Sequence, residues 1–124
     1  LLRSIPGVGL ITALTILTEI ETINRFANID QLCGFIGLIP STNSSGEKVL
    51  DGDITPRGHS ILRTVIIESA WTAARHDPTL NKSYHDYCRR MESNKAIVRI
   101  ARKVCSRIRF VLKNNQPYVC SVVK

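Results

Sequence analysis

Three serines and Lys48 lie in one polar segment, residues 41–48, which is followed by Thr55-Pro56-Arg57-Gly58. A serine hydroxyl is a weak nucleophile unless a base or positive surroundings activate it. Lys48 and Arg57 are suited to bind a phosphate under attack and to offset its developing charge. No histidine or acid stands at a spacing that identifies a base. The residues alone therefore favour a flexible polar loop over a nucleophilic site.

A second feature is the turn Ile5-Pro6-Gly7-Val8-Gly9 at the start of the chain. Pro6 fixes its own φ, and Gly7 and Gly9 can adopt backbone angles that other residues avoid. A helix-hairpin-helix turn of this kind exposes backbone N–H groups at the start of its second helix, and these groups hold a DNA phosphate without reading sequence. Gly7, Val8 and Gly9 are therefore candidate DNA contacts. The alternative is a tight glycine turn between packed helices.

The third feature is a basic stripe on the last long helix that the pattern predicts. Its cations follow three- and four-residue steps, with Ser106 filling the gap and with Lys103 and Arg107 at its margin. Helical geometry gathers them opposite the apolar positions, where they can lie along phosphates. The alternative is a solubilising outer face. The stripe consists of Lys95, Arg99, Arg102, Arg109 and Lys113, and the candidate DNA-binding residues from this region are Lys95, Arg99, Arg102, Lys103 and Arg109.

Charge is divided unevenly along the 124 residues, whose net charge is +7. Residues 1–56 hold 3 Lys/Arg and 6 Asp/Glu, whereas residues 57–124 hold 14 Lys/Arg and 4 Asp/Glu. A basic half of this kind points to a polyanion such as nucleic acid. The four scattered cysteines and the absence of a C-x-x-C pair favour a reduced, cytoplasmic protein and no metal site in these residues. When bound to DNA, such a protein is expected to be nucleoid-associated. No apolar run approaches the roughly 20 residues that span a membrane.

Hydrophobic periodicity predicts a mainly α fold in a single domain over residues 1–124. A helix-hairpin-helix-like opening occupies residues 1–21, and its second helix, residues 10–20, reads as a core helix with Leu10, Ala13, Leu14 and Leu17 on one face. A long loop follows over residues 38–58, with a short β-hairpin around Asp51-Gly52. Residues 59–118 form a small helical bundle. The predicted helices after the first are 31–37, capped by Asn28 or Asp30, then 60–76, which Asp77-Pro78 stops, and finally 80–91 and 94–113.

Short segments spread along nearly the whole chain match one known family in order. They are Ile5-Pro6-Gly7-Val8-Gly9 with Ala13-Leu14, Phe26 with Gln31-Leu32, Gly37-Leu38-Ile39-Pro40-Ser41, Asn43-Ser44-Ser45-Gly46, Ile54-Thr55 with Arg57-Gly58, Leu62-Arg63, Ala70-Trp71, Lys95-Ala96, Ala101-Arg102-Lys103 and Pro117-Tyr118. On these residues the chain resembles the C-terminal domain of the IS110-type insertion-sequence transposases, the DEDD enzymes of the IS116/IS110/IS902 group. That group is related to the Piv-type DNA invertases.

The resemblance implies a transposase that cuts and rejoins DNA during insertion-sequence transposition. In this family a RuvC-like N-terminal domain carries acidic ligands for Mg²⁺, and the C-terminal domain carries an essential serine in the Ser-Ser-Gly loop. Its first serine matches Ser44, with Ser45 as the alternative. A structured RNA encoded by the element and a homo-oligomer are also implied.

The chain departs from the family pattern at two positions of the loop. Glu47 stands where a glycine is common, and Pro56 where a basic residue is common. The acidic residues of the RuvC-like domain are absent from the chain, which also begins without Met. We therefore expect a fragment that holds no metal and does not catalyse alone. The competing hypothesis is a non-catalytic helix-hairpin-helix module that binds nucleic acid or assembles oligomers.

Overall fold

The computed structural model describes residues 1–38 and 57–119, with side chains from Ser60 onward in the second range. These ranges contain five α-helices, two short 3₁₀ turns and no β-strand, which confirms the mainly α prediction. The predicted hairpin around Asp51-Gly52 lies outside the described residues. The helices are α1 (Leu10–Ile20), α2 (Ile29–Ile36), α3 (Arg57–His76), α4 (Pro78–Cys88) and α5 (Ser93–Asn114), and the 3₁₀ turns are Leu2–Ser4 and Ile23–Arg25.

Capping residues explain where α2 and α4 begin. The Asn28 side chain accepts a hydrogen bond from the N–H of Gln31 at 2.9 Å, and the Gln31 side chain accepts one from the N–H of Ala27 at 2.8 Å. Asp77 accepts from the N–H of Thr79 at 2.9 Å, and Pro78 occupies the first turn of α4. Each cap satisfies backbone donors that a helix start leaves unpaired. Asn28, one of the two predicted caps, is thus confirmed.

The start of α3 differs from the prediction. Arg57 and Gly58 were assigned to the end of the polar loop, but α3 begins at Arg57. Loop composition marks Pro56 and Gly58 as turn formers, although glycine is tolerated in the first turn of a helix, where few intrahelical bonds depend on it.

Helices α3 and α5 form the centre of the fold and contribute about half of the buried side chains among the described residues. A single hydrophobic cluster includes residues from both described ranges. From α3 it contains Leu62, Ile66, Ala70, Ala73 and Ala74, and from α5 it contains Ile97, Ile100, Ala101, Val104, Cys105, Ile108 and Val111.

Helix α1 lies against α3 on a face that the pattern did not select. Ala13, Ile16 and Ile20 are buried, whereas Leu10, Leu14 and Leu17 are each about half exposed. Of the predicted core face Leu10, Ala13, Leu14 and Leu17, Ala13 is therefore confirmed, and the prediction for the three leucines is wrong. Apolar residues cover more than half of the circumference of α1, so periodicity could not distinguish the buried part of this wide face from the exposed part.

Candidate nucleic-acid interface

The opening turn connects the first 3₁₀ turn to α1 and is anchored by two buried side chains, Ile5 and Val8. Gly7 has a φ of +94°, and a Cβ atom placed on it would lie 2.5 Å from the carbonyl oxygen of Ser69 in α3. A glycine is required here both for the backbone angle and for the close approach of α3. Gly7 therefore packs against the bundle.

Gly9 lies on the side of this turn that faces away from the neighbouring helices. It precedes α1 as the N-cap with a φ of −93°, and a Cβ atom on it would meet nothing within 4 Å. The N–H of Val8 is used internally, since it donates to the carbonyl of Ile5 at 3.0 Å. The first intrahelical bond of α1 runs from Ala13 to Gly9, so the amides of residues 9–12 have no partner within the helix. Of the predicted trio Gly7, Val8 and Gly9, only Gly9 belongs to this accessible set of donors.

The cations of α5 fall into two groups. Lys95, Arg99 and Lys103 are exposed, as is Lys113 in the last turn. Arg102 instead donates to Asp30 at 2.9 Å and to the carbonyl of Leu38 at 3.0 Å. Arg109 donates to the carbonyl of Ala27 at 2.9 Å. The last two are half-buried and hold the α2 region against α5, so they are fixed parts of the fold as well as positive charges.

A shallow cavity of about 210 Å³ lies beside the exposed cations of α5. Tyr87 of α4 forms one wall, and the guanidinium of Arg99 lies 5.7 Å from its ring centre. This cation–π contact orients Arg99 toward the cavity. The lining residues are Ile29, Tyr87, Arg99, Arg102, Lys103 and Ser106. The structure thus brings Arg99, Arg102 and Lys103 of the predicted set together around one space.

Two arginines lie beside Gly37 and Leu38, which precede the predicted serine segment in the sequence. Arg102 binds the carbonyl of Leu38, the last residue described before that segment. The Arg63 guanidinium of α3 packs against Gly37, since a Cβ atom on that glycine would lie 2.6 Å from Nη1. Ser44, Ser45 and Lys48 themselves lie outside the described residues, as does the side chain of Arg57. Sequence reasoning did not single out Arg63, although Leu62-Arg63 belongs to the matching pattern.

A buried ion pair was also missed. Arg107 Nη1 lies 2.7 Å from Asp77 Oδ2, and their side chains are 13% and 5% exposed. Arg107 also stacks on Tyr118, with its guanidinium carbon 4.5 Å from the ring centre. The signal available in the sequence was Asp77 before Pro78, an N-cap whose second carboxylate oxygen needs a partner when buried.

The buried Cys105 thiol is not a candidate nucleophile. Cys33 of α2 and Cys105 of α5 are fully buried, which confirms the interpretation of Cys105 as a small core residue. The hydrogen bond to Cys33 and complete burial raise the pKa of the Cys105 thiol well above its ordinary value. Its thiolate is therefore scarce at neutral pH.

The described ranges contain neither a cluster of metal ligands nor a membrane-spanning helix. No group of three His, Cys, Asp or Glu side chains lies close enough there to hold a metal ion. No helix in these ranges is long and apolar enough to cross a lipid bilayer.

Comparison with known proteins identifies the family. The model of the transposase IS116/IS110/IS902 family matches residues 1–85. The chain belongs to this family. The family-level resemblance is thereby confirmed, while the assignment of Ser44 or Ser45 as nucleophile stays a prediction.

Individual relatives extend the match beyond residue 85. The transposase for insertion sequence element IS1111A of Coxiella burnetii is 37% identical over 122 residues, which is 95% of this chain and 34% of the relative. The putative transposase y4qE of Sinorhizobium fredii is 42% identical over 81 residues, 65% of this chain and 20% of the relative. A 43.6 kDa protein of insertion element IS110 from Streptomyces coelicolor is 31% identical over 120 residues, 94% of this chain and 29% of the relative. The chain thus spans about a third or less of these relatives. No solved structure matches it.

Proposed function

We propose that this chain is the DNA-binding, serine-carrying part of a transposase that cuts and rejoins DNA during insertion-sequence transposition. The observation that carries the proposal is the match to the IS1111A transposase over 95% of the chain. The exposed cations Lys95, Arg99 and Lys103 on α5 support the DNA-binding part, because they form one accessible positive row. The backbone amides of residues 9–12, at the start of α1, add a second set of phosphate donors.

In the proposed reaction Ser44 is the nucleophile. Its Oγ forms a bond to phosphorus, the bond from phosphorus to a deoxyribose oxygen breaks, and the serine proton passes to a base or to solvent while the leaving oxygen takes up a proton. Lys48 and Arg57 offset the charge that develops on the phosphate. Arg102 supports this role by binding the carbonyl of Leu38, and the Arg63 guanidinium lies beside Gly37, shortly before the serine segment in sequence.

Mg²⁺ is part of the same proposal. We assign its acidic ligands to a RuvC-like domain within the part of the relatives that this chain does not cover. When bound, the ion supplies Lewis-acid stabilisation of charge on the phosphate. The chain's own contribution is to bind DNA and to present the serine.

Serine variants of the complete transposase test this mechanism. Ser44→Ala is expected to keep DNA binding, measured by anisotropy, and to lose strand transfer, measured on a labelled element end. Ser45→Ala is the matched control, because it removes the same hydroxyl one residue away. Loss of strand transfer in Ser45→Ala alone would move the nucleophile by one residue. Full activity of both variants would exclude Ser44 and Ser45 as the nucleophile.

The nucleic acid bound by the exposed cations includes DNA and, in this proposal, a structured RNA encoded by the element. Replacement of Lys95, Arg99 and Lys103 by glutamine should weaken binding of both and flatten its dependence on salt, because each phosphate contact releases a counterion. Equal binding by the triple variant and the wild type at low salt would contradict the proposal.

A second candidate function, oligomer assembly, has one specific observation in its favour. Leu10, Leu14 and Leu17 of α1 are 49–54% exposed, and Ile11 is 71% exposed. This apolar face carries no charge and is suited to a second copy of the chain. Leu14→Glu should lower the molar mass measured by light scattering if α1 forms a homo-oligomer. A monomeric wild-type chain would leave nucleic-acid binding as the function of this fragment.

A further inference from the structure

Two hollows meet on the outer face of α5, and Ser106 lines both. The first, which we call the basic hollow, is the cavity of about 210 Å³ that contains Arg99, Arg102 and Lys103. The second, the apolar hollow, has a volume of about 380 Å³ and lies between the end of α5 and the segment that follows it, with Phe110 and Pro117 among its walls. Among the described residues no carboxylate lines either hollow. We call these two adjoining hollows the groove; one end carries three cations, and the other carries Phe110 beside Arg107.

The basic hollow is suited to bind an anion, because contacts within the protein already fix the positions of two of its cations. Arg99 is held over the ring of Tyr87, and Arg102 is held by Asp30 and the carbonyl of Leu38. Two of its cations therefore lose little side-chain freedom on binding. Lys103 is exposed, with no partner within the described ranges. The cavity lies below the roughly 300 Å³ typical of pockets for drug-sized ligands, which suits a small group such as a single phosphate.

The apolar hollow presents an aromatic ring to solvent. Phe110 is 49% exposed, although α5 has a fully buried face available for apolar residues. It follows Arg99, Lys103 and Ser106 at steps of four, three and four residues, which places all four on one face of the helix. Cations followed by an exposed aromatic ring along one groove are typical of surfaces that bind an unpaired strand, where the backbone meets the charges and a base stacks on the ring.

We propose that this groove binds an unpaired nucleic-acid strand, with a phosphate in the basic hollow and a neighbouring base on Phe110. The inference rests on the proposed function, since it names which form of nucleic acid this face of α5 receives. A duplex keeps its base faces stacked inside the helix, out of reach of Phe110, whereas an unpaired strand exposes them. From Arg99 to Phe110 the helix rises about 16 Å, which accommodates several nucleotides of a stacked strand at about 3.4 Å each.

The decisive measurement is anisotropy of labelled oligonucleotides titrated with the 124-residue chain. The probes are a deoxythymidine decamer, a uridine decamer and a DNA duplex of the same length. Phe110→Ala should weaken binding of a single strand by about 5- to 150-fold, the effect of losing one stacked base, and should change duplex binding by less than about twofold. Phe110→Tyr should restore single-strand binding because it restores the ring. A preference for uridine over deoxythymidine would assign the strand to RNA, and the reverse preference to DNA.

Two control variants separate this site from general loss of charge or apolar surface. Ile61→Ala removes a side chain with 52% exposure on α3 that lines neither hollow, and it should leave single-strand binding unchanged. Lys103→Gln should lower the salt slope by about 0.7, the value for one phosphate contact on a single strand. Lys113→Gln removes the same charge from the same helix outside both hollows and should have a smaller effect. Matching circular dichroism melts would show that each variant is folded.

The outcomes separate the inference from the proposed function. If the wild type binds duplex and Phe110→Ala binds single strands as tightly as the wild type, the inference is overturned and the proposed function stands. Equal losses on single strand and duplex would also overturn it, because Phe110 would then not contact a base face. If the wild type binds single strands through Phe110 but no duplex, the inference stands and the duplex-binding part of the proposed function falls.

Discussion

Replacing Gly7 with alanine would place a methyl group against the backbone of α3, and this single change tests how the opening turn works. The added Cβ would lie 2.5 Å from the carbonyl oxygen of Ser69 and 3.1 Å from the Cβ of Ala73. Both neighbours belong to the central helix, whose backbone cannot shift without disturbing the core. The turn must therefore move away from α3 or α3 must deform.

The magnitude follows from two contributions. A left-handed φ of +94° costs an alanine about 1–2 kcal/mol, and overpacking against a well-packed neighbour costs about 1–3 kcal/mol. Together they predict a loss of about 2–5 kcal/mol in the free energy of unfolding. A domain of this size has a total of about 5–15 kcal/mol. With a urea slope near 2 kcal/mol/M, the midpoint should fall by about 1–2.5 M.

Urea denaturation followed by circular dichroism is the assay, and Gly9→Ala is the matched control. A Cβ on Gly9 meets nothing within 4 Å, and its φ of −93° suits alanine. The loss of a favourable N-cap residue should cost about 1 kcal/mol or less. Gly9→Ala keeps the backbone N–H that would contact a phosphate, so DNA binding should fall only as far as the added methyl group obstructs the approach of the phosphate. An unchanged urea midpoint in Gly7→Ala would refute the close packing of this turn on α3.

Three further predictions concern the bundle. Asp77→Ala should lower the free energy of unfolding by about 3–5 kcal/mol, because it leaves the Arg107 guanidinium buried without its partner; a urea titration checks this, and a loss below 1 kcal/mol would contradict the buried pair. Asn28→Ala should cost about 1 kcal/mol through loss of the α2 cap, and Asn28→Ser should recover most of it; equal stability of all three proteins would argue against the cap. In a Cys120→Ser background, a thiol reagent should label the partly exposed Cys88 quickly and the buried Cys105 only upon unfolding, with equal labelling rates as the contrary result.

Local signals predicted the helices of the bundle well. The predicted helix 10–20 has the same bounds as α1, because Gly9 precedes it and the apolar run ends at Ile20. Asp77-Pro78 marked the boundary between α3 and α4, since proline disfavours helix in the residue before it. These features depend on neighbours in sequence, so they can be predicted without knowledge of the fold.

Features that depend on distant contacts could not be predicted in this way. Periodicity chose Leu14 over Ile16 as a core residue of α1, but which side is buried depends on where α3 lies. The charge of Arg102 was evident, whereas its partners Asp30 and Leu38 are more than 60 residues away in sequence. The need for glycine at position 7 likewise arises from Ser69. The charge of a residue and the position of the opening turn could be predicted from the sequence, whereas the tertiary partners of these residues could not.

The division of the α5 cations determines how binding experiments on this chain must be interpreted. Arg102 lines the basic hollow and also donates to the carbonyl of Leu38, so replacing it would remove a proposed phosphate contact and also the bond that holds Leu38. Arg109 similarly secures Ala27, beside the cap of α2. A loss of binding in variants of these two arginines would therefore have two causes, the lost positive charge and the displacement of α2. Lys103 is exposed and has no hydrogen bond to another described residue. A Lys103 variant therefore reports the electrostatic contribution to binding alone. Comparison of Arg102→Lys with Lys103→Gln separates the two, because the lysine keeps the charge of Arg102 but cannot make both of its hydrogen bonds.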